Sequence, residues 1–223
     1  MLPINFPSLL TSSVHDIKNS LKALRGLHAQ LEHIYQDEKH DEFKRLEFEA
    51  NRMNNTLMQL LILYKVDVSQ FSLTIDEYSA ADILEDIVNQ HSTLLSLGNI
   101  QLTTECPTDL FCYCDSTMIS YALCTLVNNA QRYCQSKVQL SVTQKDEYVV
   151  FCIEDDGEGY PENLMTSDCK RLPQLDLNTG NTGLGLFFAE TIAQLHAQGD
   201  RRGFIVTDNG SQFGGARFKL YLP

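Results

Sequence analysis

The chain has 223 residues, of which 43% are hydrophobic, and its formal net charge is −12. Such a composition is ordinary for a globular protein, but the negative charge repels phosphates and excludes nonspecific nucleic-acid binding. No apolar run in the sequence approaches the length of a membrane-spanning helix. The N-terminus lacks the basic start of a secretory signal, so we expect a cytoplasmic protein.

The seven cysteines all lie beyond residue 100, and none of them forms a C-x-x-C pair. No histidine pair stands at a zinc-finger spacing either. An odd number of cysteines without metal-ligand spacing predicts free thiols in a reducing compartment.

Two apolar stripes at helical spacing dominate residues 1–67. The first runs through Val14, Ile17, Leu21, Leu24, Leu27, Leu31 and Ile34, and the second through Phe43, Leu46, Ala50, Met53, Leu57, Leu60 and Tyr64. The second stripe repeats as a heptad, and a polar stretch at residues 36–42 separates the two. We therefore predict an antiparallel helical hairpin. One hairpin cannot bury both stripes, so we expect a four-helix bundle in a homodimer; packing of the hairpin on its own C-terminal domain is the alternative.

His15 lies near the start of the first predicted helix, at the rim of its apolar stripe. An exposed imidazole can attack phosphorus, and the neighbouring Asp16 would orient the ring and accept its proton. Asn19 follows one helical turn later on the same face, where its side chain could place a water molecule. Most surface histidines have no chemical role, so this interpretation depends on the rest of the chain.

Residues 68–223 carry most of the negative charge, with 9 Lys+Arg against 20 Asp+Glu. Strands are predicted at residues 71–75, 99–104, 110–114, 138–143, 148–153, 204–207 and 216–222. Helices are predicted after a cap at Ser79, after a cap at Asp115 or Ser116, and after about Thr182 to near His196. Because helices and strands occur in groups, we predict an α+β fold in which helices cover one face of a mixed sheet.

Three further stretches carry candidate chemistry. Asn129 and Arg132 are one helical turn apart, where an amide oxygen suits Mg²⁺ and a guanidinium suits a phosphate. Asp155-Asp156-Gly157-Glu158-Gly159 follows a strand, and a carboxylate there can accept a hydrogen bond from an exocyclic amine. Each stretch alone also fits a structural role, the first as a polar helix end and the second as a turn.

The third stretch is Asn181-Thr182-Gly183-Leu184-Gly185-Leu186, a glycine-rich turn that runs directly into an amphipathic helix. Glycines let the backbone approach a ligand, and the first turn of a helix offers unpaired N–H groups to anions. The segment therefore predicts a phosphate-binding turn, although a short glycine pair alone is weak evidence.

Taken in order, these motifs resemble the core of a two-component sensor histidine kinase: His-Asp-x-x-Asn on a helical hairpin, then Asn-Ala-x-Arg-Tyr, Asp-x-Gly-x-Gly and Gly-Leu-Gly-Leu. The last three also resemble the nucleotide site shared by DNA gyrase, mismatch-repair ATPases and heat-shock chaperones. The resemblance covers almost the whole chain. It implies a dimerisation and phosphoacceptor hairpin at residues 1–67 and an α/β-sandwich ATP-binding domain with a mixed sheet at residues 68–223.

The resemblance also implies roles for individual residues of the hairpin and the following helix. His15 resembles the phosphoacceptor, Asp16 the adjacent acid that assists transfer, and Asn19 the residue that supports dephosphorylation of the response regulator. Asn129 looks like the Mg²⁺ ligand. Arg132 stands where the family usually has a phosphate-contacting lysine, and Tyr133 where an aromatic ring lies beside the nucleotide.

In the loops, Asp156 resembles the adenine-binding aspartate, and Gly157 and Gly159 shape its pocket. Thr182, Gly183, Leu184 and Gly185 resemble the segment at the ATP phosphates, where the two glycines hinge a lid over residues 160–182. Three features depart from the family pattern: Thr125 replaces a first asparagine, Ser20 replaces a proline, and the short lid contains no phenylalanine.

The resemblance implies an ATP- and Mg²⁺-dependent histidine kinase that phosphorylates His15 and passes the phosphoryl group to an aspartate of a response-regulator receiver domain. It would also dephosphorylate that regulator. We expect the signal to come from a separate sensor protein or a missing sensor domain. Two alternatives stay open: a dimeric phosphotransfer or scaffold protein with a degenerate kinase fold, and an ATP-driven machine of the gyrase type, which would leave His15 without a purpose.

Overall fold

The computed structural model of the protein describes residues 40–166 and 184–223. The chain divides into two compact units, Met1–Ser72 and Leu73–Pro223. The first predicted helix lies outside the described residues, and so do His15, Asp16 and Asn19.

In the N-terminal unit, helix α1 (His40–Asp67) carries the predicted heptad stripe. Three of its stripe residues, Leu46, Met53 and Leu60, are 57%, 51% and 43% exposed. The helix ends where Ser69 adopts a left-handed conformation, with φ of 56°, and the Gln70 N–H donates to the carbonyl of Lys65. The second helix of the predicted hairpin is therefore present, and much of its apolar stripe is uncovered in this chain.

The C-terminal unit contains three long helices and nine strands among its described residues. The helices are α2 (Ala80–Leu97), α3 (Ser116–Tyr133) and α4 (Leu184–Leu195), with a short 3₁₀ helix at Glu162–Leu164. The strands are β1 (Asp76–Ser79), β2 (Gln101–Glu105), β3 (Phe111–Cys114), β4 (Lys137–Lys145), β5 (Tyr148–Asp155), β6 (Ala197–Gln198), β7 (Arg201–Arg202), β8 (Phe204–Asp208) and β9 (Arg217–Leu222). No described helix is both long and apolar enough to cross a membrane.

Five of the strands form one mixed sheet in the order β2-β4-β5-β9-β8. Strands β2 and β4 are parallel, whereas the other neighbours are antiparallel. Strands β1 and β3 form a separate antiparallel pair, and β6 and β7 another. The strand predicted at residues 71–75 is displaced to β1, because the N–H of Thr74 donates to the Asp115 carboxylate instead of to a neighbouring strand.

Burial alternates across the large sheet, row by row. Leu140, Ile153, Phe218 and Thr207 lie side by side on β4, β5, β9 and β8 and are all buried. The next row, Ser141, Cys152, Lys219 and Val206, is only half-buried. Helix α3 contacts β4 and β5, and α4 contacts β8 and β9. One face of the sheet therefore packs against helices, which confirms the predicted α+β layer and mixed sheet.

Candidate functional site

Helices α3 and α4 are fastened at one end by a histidine. Asp115 caps α3, since its carboxylate accepts from the Met118 N–H at 3.1 Å, and its own N–H donates to Nε2 of His196 at 3.0 Å. The other ring nitrogen, Nδ1, donates to the carbonyl of Ile192 at 2.8 Å. Burial lowers the pKa of His196, which keeps the ring neutral and able to accept.

Near its other end, α4 lies unusually close to α3 because Gly185 has no side chain. A Cβ at Gly185 would lie 2.6 Å from Cγ2 of Thr125 and 3.7 Å from Nδ2 of Asn129. The Thr125 hydroxyl donates to the carbonyl of Tyr121, so its methyl group faces the glycine. This contact brings together two stretches that the sequence predicted to share a site, the Asn129 amide and the glycine segment at the start of α4.

A buried carboxylate stands at the end of β5. Asp155 is 5% exposed, and its Oδ1 accepts from the N–H groups of Gly157 at 2.8 Å and Ala216 at 3.1 Å. Burial raises the pKa of Asp155, and these two hydrogen bonds act in the opposite direction. A Cβ at Gly215 would lie 2.6 Å from the same oxygen, so the backbone before β9 wraps closely around this carboxylate. Gly215 is not among the predicted site residues, although a glycine pair directly before a predicted strand indicates such an approach.

Asp156, which the sequence predicted to bind adenine, is turned away from Asp155. Its Oδ1 accepts from the N–H groups of Gln135, Ser136 and Lys137 at 2.8, 2.9 and 3.0 Å, and its Oδ2 accepts from the Ser136 hydroxyl at 2.7 Å. Both oxygens are therefore occupied by the α3–β4 connection. The predicted base contact at Asp156 stays a prediction, and this geometry makes its neighbour Asp155 the better candidate.

Gly157 and Gly159 both stand where a side chain would collide. A Cβ at Gly157 would lie 2.3 Å from the carbonyl oxygen of Tyr133, at the end of α3. Gly159 has φ of 87°, and its Cβ would lie 2.6 Å from Oδ1 of Asn209. Asn209 in turn accepts from the N–H of Tyr160 and donates to its carbonyl at 3.0 Å. The two glycines therefore set how the chain leaves β5 and enters the predicted lid.

The lid is anchored again just before its undescribed part. Thr166 and Thr207 form an isolated antiparallel bridge, and both side chains are buried. The N–H of Thr166 donates to the carbonyl of Thr207, and the N–H of Thr207 donates to the Thr166 hydroxyl, each at 3.0 Å. No local sequence signal predicts this pair, because its two residues are 41 positions apart.

The remaining predicted residues fall into two groups. Arg132 and Tyr133 are exposed at the end of α3, with the guanidinium carbon 5.5 Å from the centre of the Tyr133 ring. Leu184 begins α4 and is half-buried. Thr182 and Gly183 lie outside the described residues.

Comparison with known proteins gives a consistent result. Residues 114–223 match the family described as histidine kinase-, DNA gyrase B-, and HSP90-like ATPase. Sensor histidine kinase CpxA of Escherichia coli (strain K12) is 24% identical over 220 residues, which are 96% of this chain and 46% of that protein. Sensor protein BasS of the same strain is 29% identical over 195 residues, or 84% of this chain and 52% of that protein.

The fold has solved counterparts as well. Acinetobacter baumannii histidine kinase AdeS superposes with a TM-score of 0.60 at 19% identity, covering 92% of this chain and 95% of that chain. The chain spans about half the length of the curated relatives that match it first.

Proposed function

We propose that this protein is an ATP-dependent histidine kinase, because residues 114–223 match the histidine kinase-, DNA gyrase B-, and HSP90-like ATPase family and the chain is similar to sensor histidine kinases. It phosphorylates its own His15 and transfers the phosphoryl group to an aspartate of a response-regulator receiver domain. It also dephosphorylates that regulator. The need for ATP places the reaction in the cytoplasm.

The observation that supports this proposal most strongly is the surroundings of Asp155. Its carboxylate is buried at a strand end, held by two backbone N–H groups on Oδ1, and bordered by Gly157 and Gly215. A carboxylate held in place beside backbone without side chains can accept a hydrogen bond from the exocyclic amine of adenine. This is the role that the sequence predicts for an aspartate at this strand end. We therefore assign the adenine contact to Asp155, the first residue of the Asp-x-Gly-x-Gly motif, in place of Asp156.

The triphosphate would lie between α3 and the start of α4. The Asn129 amide lies beside Gly185 in the first turn of α4, where helix N–H groups and the helix dipole favour anions. The Thr182-Gly183-Leu184-Gly185 segment would contact the phosphates, with Arg132 as a further cation.

The residues present also fit a magnesium ion. An amide oxygen is a hard ligand of the kind Mg²⁺ takes, and the half-buried Asn129 amide lies beside Gly185 at the start of α4. When bound together with ATP, Mg²⁺ supplies positive charge at the transferring phosphoryl group. The contribution of Asn129 would be to hold that ion at the phosphate end of the site.

In the N-terminal unit, His15 would be the nucleophile, Asp16 its orienting acid, and Asn19 the residue that positions water for dephosphorylation. The partly exposed stripe of Leu46, Met53 and Leu60 on α1 supports pairing of two chains in a four-helix bundle. In this proposal residues 1–67 form the phosphoacceptor and dimerisation domain, and residues 68–223 form the catalytic domain.

The test is incubation of the full chain with γ-labelled Mg·ATP, wild type beside His15→Ala. Acid-labile, alkali-stable label on the wild type alone is the expected result, because a phosphohistidine hydrolyses in acid. A regulator receiver domain added afterwards should take the label. Equal labelling of both proteins would refute the assignment of His15.

A second candidate function is supported by Thr125, whose hydroxyl donates to the Tyr121 carbonyl and whose methyl group faces Gly185. Held in this way, Thr125 is a poorer ligand for Mg²⁺ than the asparagine usual at this position. A dimeric phosphotransfer protein with little ATP turnover is therefore the alternative. Calorimetric titration with Mg·ATP separates the two, since such a protein binds no nucleotide.

A further inference from the structure

The Asp156 carboxylate gathers successive backbone N–H groups of one short connection. Residues 135–137 all point their N–H groups at it, and Ser136 adds its hydroxyl. Three consecutive amides around one anion form a backbone nest. Burial opposes ionisation of Asp156, but the hydrogen bonds from Ser136, Lys137 and Gln135 outweigh it and hold its pKa well below the usual range. The carboxylate is therefore charged at every pH at which the protein would work.

The connection that Asp156 holds joins the two halves of the proposed nucleotide site. It begins at Cys134, the C-cap of α3, and ends at the first residue of β4. Asp156 itself follows the last residue of β5. Within one residue of it, the missing side chain of Gly157 lets the β5 end approach the carbonyl of Tyr133. The end of α3 and the end of β5 are therefore clamped from two sides, by a carboxylate and by a glycine contact.

We propose that Asp156 is a positioning residue that fixes the spacing between the base-binding end of the site, at Asp155, and the phosphate-binding end, at Asn129 and Arg132. The inference rests on the proposed function, because it concerns the same nucleotide. Asp155 sits on the β5 end, and Asn129 lies one turn before the end of α3. No contact between Asp156 and ATP is required.

The clamp affects binding because ATP links the two subsites. Adenine and triphosphate are joined in ATP, so once one end is bound the other end binds as an intramolecular step, provided that the two subsites are correctly spaced. Loosening the clamp leaves each subsite intact but lowers the fraction of time for which both can be filled together. A variant without the clamp should bind the two halves of ATP normally and whole ATP poorly.

The experiment compares three ligands on the wild type and on Asp156→Ala: Mg·ATP, adenosine and Mg·tripolyphosphate. Affinities are measured by titration followed in ¹H–¹⁵N spectra, well below the melting temperature of each protein. The expected result for Asp156→Ala is a loss of about tenfold for Mg·ATP, a part of the roughly 10²–10⁴ that linkage can supply, with less than about a twofold change for either half. Exchange of the amide hydrogens of residues 135–137 should speed up in the same variant.

Asp115→Ala is the matched control, because it removes a carboxylate cap from the opposite end of the same helix. It should lower the melting temperature without changing the ratio of ATP to adenosine affinity. Asp156→Asn keeps one acceptor oxygen and should fall between the wild type and Asp156→Ala, which preserves the test if the alanine variant does not fold.

Two results would overturn the inference: equal loss for adenosine and Mg·ATP, which indicates direct contact with the base, or unchanged ATP affinity in Asp156→Ala. Failure of the wild type to bind Mg·ATP would instead refute the proposed function.

Discussion

Replacing Gly185 with alanine tests the packing on which the α3–α4 site depends. The added methyl carbon would lie 2.6 Å from Cγ2 of Thr125. Carbon atoms in contact normally stand about 3.5–4.0 Å apart, so the two helices must separate by roughly 1 Å. Gly185 lies within helix α4 and does not have a positive φ. Alanine at this position therefore meets a steric clash but no backbone strain.

The expected cost is moderate. Overpacking a tight contact costs about 1–3 kcal/mol, and the better helix propensity of alanine returns up to about 1 kcal/mol. We therefore expect the free energy of unfolding to fall by about 1–2 kcal/mol, equivalent to roughly 2–8 °C in melting temperature for a chain of this size. Affinity for Mg·ATP should fall as well, since separation of the helices moves Asn129 away from the start of α4.

Urea unfolding of a double-mutant cycle measures the effect. Thr125→Ser removes the methyl group that the new side chain would meet and keeps the hydroxyl that donates to Tyr121. The double variant should regain most of the lost stability, with a coupling energy of about 1 kcal/mol between the two positions. If Gly185→Ala is as stable as the wild type, or if the two substitutions simply add, the helices do not meet at this contact and the reasoning is wrong.

Two further outcomes are expected. Burial lowers the pKa of His91 from 6.5 to about 4. Between these two pH values the unfolded chain binds a proton at His91 and the folded chain does not, so the free energy of unfolding is highest above pH 6.5 and falls as the pH drops towards 4. The total loss is about 3 kcal/mol. Urea midpoints at pH 7 and pH 4.5 should show it, and His91→Leu should flatten the dependence, whereas an unchanged slope in that variant would assign it to other groups. Asp155→Asn should weaken Mg·ATP binding by at least about tenfold, because an amide places a donor near the N–H groups of Gly157 and Ala216 or turns its oxygen away from adenine. Equal affinity in wild type and variant, by calorimetry, would remove Asp155 from the base contact.

Local pattern was enough to predict the layers of the C-terminal unit. Strand β4 alternates apolar and polar side chains, as does most of β9, and this alternation predicts which face meets the helices. The same rule could have separated the two aspartates, since Phe151, Ile153 and Asp155 are spaced by two and share the buried face of β5. Without that periodicity, the motif at the strand end predicts the base contact at Asp156, whereas we propose it at Asp155.

Other parts of the site depend on partners that are distant in sequence. The hydrogen bond from Asp115 to His196 spans 81 positions, and no motif marks either residue as a partner of the other. In the sequence, Thr125 is only a departure from the family pattern. Its packing against Gly185 is visible only in the structure, because the contact depends on how closely the two helices approach. The backbone amides that hold Asp156 carry no sequence signal at all, because every residue except proline supplies one.

The bond between His196 and Asp115 also has a mechanical consequence. It fixes the C-terminal end of α4 to the N-terminal end of α3, while the opposite end of α4 leads into the predicted lid. A helix of 12 residues is about 18 Å long. Tilting it by about 5° around the histidine would displace Gly185 by roughly 1.5 Å, which is enough to open or close a phosphate contact. A small rotation of α4 about its histidine end would therefore move Gly185 relative to Asn129, beside the proposed phosphate site.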